Sequence, residues 1–261
     1  MRSFRYFMIR IFTFFTIPVV LILISSSIQA QEEMVTDTSK NILLLKETSA
    51  GITLHSQGWG LKFNKAYHKT AFRKRVITAE FLEMQSQKQV RTINPYFTNS
   101  KSYVYGKLNS VFMFRTGYGI HKLLNRKPYW GGIELRFFYM GGLDLAITKP
   151  VYLYILKPIS PSGYEYSITE ERYNPDEHFV DNIFGRASFT KGFNELSFYP
   201  GVHAKIGLDF DFGTYNSKVK SLEVGVILDG FIRSIPIMAF NDPNYYFLTF
   251  YFSFNFGKRF N

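Results

Sequence analysis

Long segments of this chain alternate apolar and polar residues with a period of two, and that pattern excludes most other ways of folding it. Between Ser197 and Phe212, the even positions Phe198, Val202, Ala204, Ile206, Leu208, Phe210 and Phe212 are apolar, while His203, Lys205, Asp209 and Asp211 take odd ones. Leu222, Val224, Val226, Leu228 and Ile232 alternate with Glu223, Asp229 and Arg233 in the same way. Ile133, Leu135, Phe137, Tyr139, Leu143, Leu145 and Ile147 share one side, with Glu134, Arg136 and Asp144 on the other. In the stretch from Lys107 to Ile120, Phe112, Phe114, Tyr118 and Ile120 oppose Asn109, Arg115 and Gly117. A helix would scatter these charges around a cylinder, whereas a strand places them all on one face.

Further alternating segments at 51–63, 74–84 and 245–261, with a shorter one at 151–156, bring the expected number of strands to eight. Most of them exceed the roughly 5–6 residues of an ordinary globular strand and reach the length of about 9–11 that a tilted membrane-crossing strand requires. The closing segment carries Leu248, Phe250, Phe252, Phe254, Phe256 and Phe260 on one face. Thr249, Ser253, Asn255, Gly257 and Arg259 lie on the other. Composition agrees: 28 Phe and 18 Tyr stand beside only two Trp, so apolar residues are abundant but diluted by polar ones at close spacing.

The only long apolar run is N-terminal. Arg2, Arg5 and Arg10 precede Ile11–Ile24, and small residues close the run at Ala30, so residues 1–30 are expected to be a cleaved signal peptide. Residues 31–48 are expected to form a polar leader and 49–261 the barrel. Cysteine is absent, so no disulfide supports an exported domain. The net charge of +11 falls to +8 without the three leader arginines, which favours an anionic surface as partner; export argues against nucleic acid.

The expected architecture is all-β: a closed antiparallel up-and-down transmembrane barrel of about eight strands, with one long loop at 158–195. Asn174, Pro175, Asp176, Glu177 and Gly185 predict a short helix in that loop. Turns at 148–150 and 213–218 fall at one end and the long loop at the other, although 85–106 is long and falls at the short-turn end in this scheme. A ring of eight strands leaves a lumen that side chains fill. Arg115, Glu134, Arg136, Lys205, Asp209, Glu223, Asp229 and Arg233 are therefore expected to form a lumenal network of ion pairs, four carboxylates against four cations. Strand glycines such as Gly58, Gly60 and Gly225 are assigned to curvature.

Signal peptide, long alternating strands and the aromatic closing strand resemble the small Gram-negative outer-membrane β-barrels, of OmpA/OmpX-type architecture or the barrel components of secretion systems. The resemblance implies location in the outer membrane and a final aromatic, here Phe260 before Asn261, that the barrel-assembly machinery reads as a signal. The function then expected is non-enzymatic: a largely sealed barrel serving envelope structure, assembly or secretion, with an envelope or secretion protein as possible partner. The alternatives are a lipid A-modifying or phospholipid-hydrolysing barrel enzyme and a narrow solute channel.

Candidate chemistry is sparse. His203 with Ser197, or His55 with Ser56, are the pairs a hydrolase would draw on, but His203 reads as a lumenal structural residue and adjacent strand residues point to opposite faces. Asp176, Glu177, His178 and Asp181 carry donors for a divalent cation, yet acidic residues at a helix start have a simpler explanation in the helix dipole. No catalytic residue, metal or cofactor is expected. Two basic clusters, Lys65, Lys69, Arg73, Lys74 and Arg75, and Lys122, Arg126 and Lys127, fall at the long-loop end in this scheme, where they would meet lipopolysaccharide phosphates.

Overall fold

A computed structural model describes residues 45–97, 99–127, 132–159, 166–213 and 217–260. The expected signal peptide and nearly all of the expected leader lie outside them. Thirteen strands occur among the described residues: β1 (Lys46–His55), β2 (Gly58–Thr70), β3 (Arg73–Met84), β4 (Arg91–Thr92), β5 (Tyr103–Val104), β6 (Asn109–Asn125), β7 (Glu134–Pro150), β8 (Tyr152–Pro158), β9 (Tyr166–Arg172), β10 (Ile183–Arg186), β11 (Ser197–Asp211), β12 (Lys218–Ile235) and β13 (Asn244–Phe260). Eight of these close a barrel in the order β1-β13-β12-β11-β7-β6-β3-β2. Every neighbouring pair is antiparallel, and the seam runs from Lys46↔Phe260 to His55↔Tyr251. Closure pairs every edge strand, so no backbone row is left open.

The expected number of strands is right, but two of the assignments behind it are corrected. The segment at 51–63 is a hairpin: Ser56 and Gln57 turn the chain between His55 and Gly58, and each arm is a barrel strand. The outward phase slips by one across these two residues, from Ile52 and Leu54 on the first arm to Trp59 and Leu61 on the second, and that slip marks the turn. Gly58 sits there at φ 150°, where an added Cβ would lie 2.2 Å from the Glu83 carbonyl oxygen, so only glycine fits. Conversely, the strand at 151–156 leaves the barrel. β7 continues through the expected 148–150 turn, and β8 pairs instead with β9 and β10 in a separate three-stranded sheet.

These two corrections reverse the ends of the barrel. The connections at 71–72, 126–133 and 212–217, together with the Lys46–Phe260 end of the β1–β13 seam, now share one rim. At the other rim are 56–57, 85–108, 151–196 and 236–243. The long 85–106 segment therefore sits with the other long connection and is no longer anomalous. The predicted helix is absent. Asn174 instead heads a single turn, its carbonyl accepting from the His178 N–H at 2.9 Å, and the only helical turn among the described residues is a 3-10 turn at Phe193–Glu195.

The inside-outside parity read from the sequence holds along β6, β7, β11, β12 and β13, with Arg233 near the rim as the exception. On β13, Leu248, Phe250, Phe252, Phe254, Phe256 and Phe260 are exposed, whereas Thr249, Tyr251, Ser253 and Asn255 are buried. From Leu248 to Phe260 this outer face climbs about 30 Å for a strand rise of about 3.3 Å tilted near 40°. That is enough for the apolar band of about 25 Å that such barrels present to lipid.

Candidate functional site

Below its long-loop mouth the lumen is packed with buried side chains. At its centre Arg115, 1 % exposed, grips Asp229 through Nε and Nη2 at 2.9 and 2.6 Å. One layer towards the short-turn rim, Lys205 Nζ donates to Glu80 at 2.7 Å and lies 3.1 Å from Glu223, which also accepts from Lys62 Nζ and the Tyr251 hydroxyl, each at 2.5 Å. Nearer that rim, Lys74 bridges Glu47 at 3.0 Å and Asp209 at 3.5 Å, and Arg259 joins Glu47 at 2.9 Å and pairs with Asp211. Arg136 pairs with Glu134 on the same strand. Charges this deep persist only when each meets an opposite partner, and apart from the Arg136–Glu134 pair these partners come from different strands.

Seven of the eight residues expected in the lumenal network are in it; Arg233 is not, being exposed on β12 close to the long-loop rim. Glu47, Lys62, Lys74, Glu80, Asp144, Asp211 and Arg259 complete the network. Asp144, Asp211 and Arg259 already lie on the charged faces read from the sequence for β7, β11 and β13; for Glu47, Lys62, Lys74 and Glu80 parity on β1, β2 and β3 was the available signal.

His203 occupies the lumenal place expected of it. Its Nδ1 lies 2.6 Å from Asp144 Oδ1, and its ring rests on a floor made by Gly117 and Gly142. A Cβ at Gly142 would stand 2.8 Å from the His203 ring and 1.9 Å from the Thr116 carbonyl oxygen, so the close approach depends on glycine. Ser197 lies six residues further along β11, at the long-loop end, and is not brought to this histidine. Above this layer Leu82, Met84, Val111, Met113, Ala146, Phe231, Ile235 and Phe247 form an apolar plug across the barrel. A hollow of about 480 Å³ opens at the mouth between Gln57, Gln85, Phe240 and Asn244 and ends on Ile235 and Phe247 of that plug.

The three longer of the four connections at the long-loop rim fold into a cap with a core of its own. Tyr103, Leu153, Ile155, Tyr173 and Ile183 are buried together, with Tyr105, Leu108, Val151 and Ala239 packed against them. Asn94 Nδ2 donates to the Ile183 carbonyl at 2.8 Å, Ala239 N–H to that of Gly106 at 2.8 Å, and Lys149 Nζ to those of Phe189 and Lys191 at 3.0 and 2.9 Å. Burial in this core pushes the Tyr173 hydroxyl up to about 12. Ile93, Tyr96, Ile168, Phe179 and Phe189 nonetheless remain exposed on the outside of the cap. His178 is buried, with Nδ1 accepting from the Asn174 N–H at 3.0 Å and Nε2 3.4 Å from Glu171. Among the described residues, no group of three or more His, Asp or Glu is placed to hold a metal ion.

The basic clusters require a further correction. Lys65, Lys69, Arg73, Arg75, Lys122, Arg126 and Lys127 gather at the short-turn rim, not with the long loops. Lys74 is not on the surface at all, being 4 % exposed and held by Glu47 and Asp209. The lipopolysaccharide role expected of these residues rested on their sharing a rim with the long loops.

No protein-family model matches the sequence, and no curated protein matches it. Among solved structures, the chain is similar to Ail, the attachment invasion locus protein of Yersinia pestis, at 9 % identity and TM-score 0.39, covering 82 % of this chain and 97 % of that one. It is similar to Neisserial surface protein A at 8 % identity and TM-score 0.39, covering 83 % and 96 %. Ail in complex with the heparin analogue sucrose octasulfate matches at 8 % identity and TM-score 0.38, covering 82 % and 97 %. The strand order found in this chain is itself that of a small, closed, eight-stranded antiparallel β-barrel.

Proposed function

We propose that the chain is a non-enzymatic, non-conducting barrel of the Gram-negative outer membrane, exported by cleavage of its leader, and that its contribution to the envelope is made by the cap on its long-loop rim. The observation that carries this reading is the cap itself. A chain that needed only to seal a barrel has no use for a second packed core. Large apolar side chains left exposed outside the lipid-facing band mark a surface that binds something. Long connections face the cell exterior in barrels of this kind, so the cap would meet partners there and the short-turn rim would face the periplasm. The apolar plug and the paired lumenal charges support a closed lumen, since a conducting pore calls for a hydrated path and an excess of one sign of charge. Insertion by the barrel-assembly machinery fits a β13 that ends on Phe260, exposed and paired with Lys46 at the seam.

The test is purified protein in liposomes, beside a variant in which residues 152–195 are replaced by a short Gly-Ser turn. The expected result is a heat-shifted gel band for both proteins, no ion conductance, no lipid turnover, and loss of co-purifying envelope proteins in the variant alone. Steady conductance would overturn the sealed lumen. Lipid turnover abolished by His203→Ala would restore the enzyme alternative.

A further inference from the structure

The short-turn rim carries a surface that the cap and lumen do not explain. Going round the ring through β12, β13, β1, β2, β3 and β6, the outward face at this end presents Lys220, Lys258, Lys46, Lys65, Arg73, Arg75 and Lys122. The two remaining strands, β7 and β11, present Leu135, Phe137 and Phe210 there instead. The acidic residues at the same height, Glu47, Glu134, Asp209 and Asp211, all point into the lumen and are matched there by Lys74, Arg136 and Arg259. Among the described residues, no carboxylate stands on the outer face at this end.

Such a collar repels itself. Arg73 and Lys122 lie directly opposite each other on β3 and β6, a cross-strand pairing of like charges that destabilises a sheet unless an anion sits between them. Its height is equally informative. Lys65 Nζ lies 5.7 Å over the Tyr67 ring, Lys122 Nζ 5.4 Å over Tyr139, and the Arg126 guanidinium 4.8 Å over Phe72. Rings at the edge of an apolar band with cations beside them match the boundary between hydrocarbon and phosphate.

We propose that this rim is a headgroup collar in which the phosphodiesters of anionic glycerophospholipids, in the leaflet on the short-turn side, seat between the basic side chains and fix the depth of the barrel. The inference rests on the membrane-spanning reading above. Three features favour lipid over a protein partner. The collar covers three-quarters of the circumference, it adjoins the apolar band without a break, and it contains no acidic residue for a folded partner to pair with. Lipid A phosphates belong to the opposite leaflet, at the rim these residues do not occupy.

The test uses the mature protein folded into vesicles of phosphatidylcholine alone, of phosphatidylcholine with phosphatidylglycerol, and of phosphatidylcholine with lipid A. The readout is the relative association constant of spin-labelled lipids. Each basic contact with an anionic surface corresponds to a preference of about fivefold. Phosphatidylglycerol is therefore expected to be retained about fivefold or more over phosphatidylcholine. High salt should reduce the preference, and it should vanish when Lys46, Lys65, Arg73, Arg75, Lys122, Lys220 and Lys258 are all changed to Gln. A control carrying Gln at the cap cations Lys88, Lys101, Lys107 and Arg172 should retain it. Equal retention of both lipids by a folded barrel, an undiminished preference in the collar variant, or a stronger preference for lipid A would overturn the collar and leave the barrel standing. Failure to give a heat-shifted band in any vesicle would instead remove the barrel reading, and the collar with it.

Discussion

The Arg115–Asp229 pair offers a quantitative test of whether the lumen is dry. Arg115→Met would leave the Asp229 carboxylate, 0 % exposed, without the two charge-assisted bonds at 2.9 and 2.6 Å that hold it, and with Asp144 close by as a like charge. Asp229→Leu would leave the guanidinium only Glu80 at 3.7 Å and Asp144 at 3.9 Å. Breaking one side of a buried pair costs about 3–5 kcal/mol, whereas replacing both sides with apolar groups of similar volume is often close to neutral. The double variant keeps its neighbours satisfied, because Glu80 retains Lys205 at 2.7 Å and Asp144 retains His203 at 2.6 Å. Each single variant should therefore lose about 3–5 kcal/mol, with Asp229→Leu at the lower end, while the double should fall within about 2 kcal/mol of the parent, a coupling of about 3 kcal/mol or more. Urea unfolding in phospholipid vesicles, followed by tryptophan fluorescence with Trp59 on the outer face as one reporter, measures all four proteins. Single losses below about 1 kcal/mol that add to within about 0.5 kcal/mol would mean that both groups are hydrated, and the reasoning about a packed lumen would fail.

Phe138, fully buried and stacked on the His121 ring at 4.9 Å, fills the lumen one layer above the short-turn charges, so Phe138→Ala should cost about 3–5 kcal/mol in the same urea titration; a loss below about 1 kcal/mol would argue for an unfilled barrel. Tyr173 should make the cap sensitive to alkali. Its folded-state hydroxyl titrates near 12, above the ordinary tyrosine value of 10.0, so the stability it contributes is fully present below pH 10 and is lost as pH rises towards 12. Protease should therefore begin to cut within residues 151–196 only in that window, and cutting already complete at pH 9 would count against the burial described for this residue. Phe260→Ala should slow barrel assembly in cells, seen as accumulation of the unfolded gel form, while leaving the stability of protein refolded in vesicles nearly unchanged; normal assembly would remove Phe260 as an insertion signal.

Which face each residue takes was legible in the sequence because strand geometry imposes its period of two locally. Ile206 and Lys205, or Phe252 and Ser253, needed no knowledge of their neighbours to be assigned outside and inside. Where strands begin and end was less legible. The turn between Leu54 and Trp59 is marked only by a one-residue slip in the alternation, since both face outward although they stand five apart, and β8 has an apolar pattern like that of a barrel strand although it belongs to the cap. Those two confusions left the total at eight but exchanged the rims, and so attached the basic clusters to the wrong rim.

The partners of the lumenal charges were not legible for a different reason. Glu223 meets Lys62, and Arg259 meets Glu47, only because ring closure brings β12 near β2 and β13 against β1. Register around the whole ring fixes those meetings, and no single segment encodes it. The cap was illegible because its core draws Tyr103, Tyr173 and Ile183 from segments that look like polar loop and Leu153 from one that looks like a barrel strand.

The account depends above all on the closed ring, and therefore on the seam between the first and last strands. Thr53 and Ser253 face each other across it with their hydroxyls 3.0 Å apart inside the lumen. Their antiparallel spacing of about 4.5–5.5 Å falls within the range that a disulfide spans. The chain contains no native cysteine to confuse the result. In the membrane-inserted protein, Thr53→Cys with Ser253→Cys should give rapid, quantitative intramolecular crosslinking that prevents the heat-induced gel shift, whereas Thr53→Cys with Thr249→Cys, displaced along the seam, should give none. Failure of the first pair to crosslink in folded protein, or crosslinking only between two chains, would contradict a barrel closed by Lys46–His55 against Asn244–Phe260.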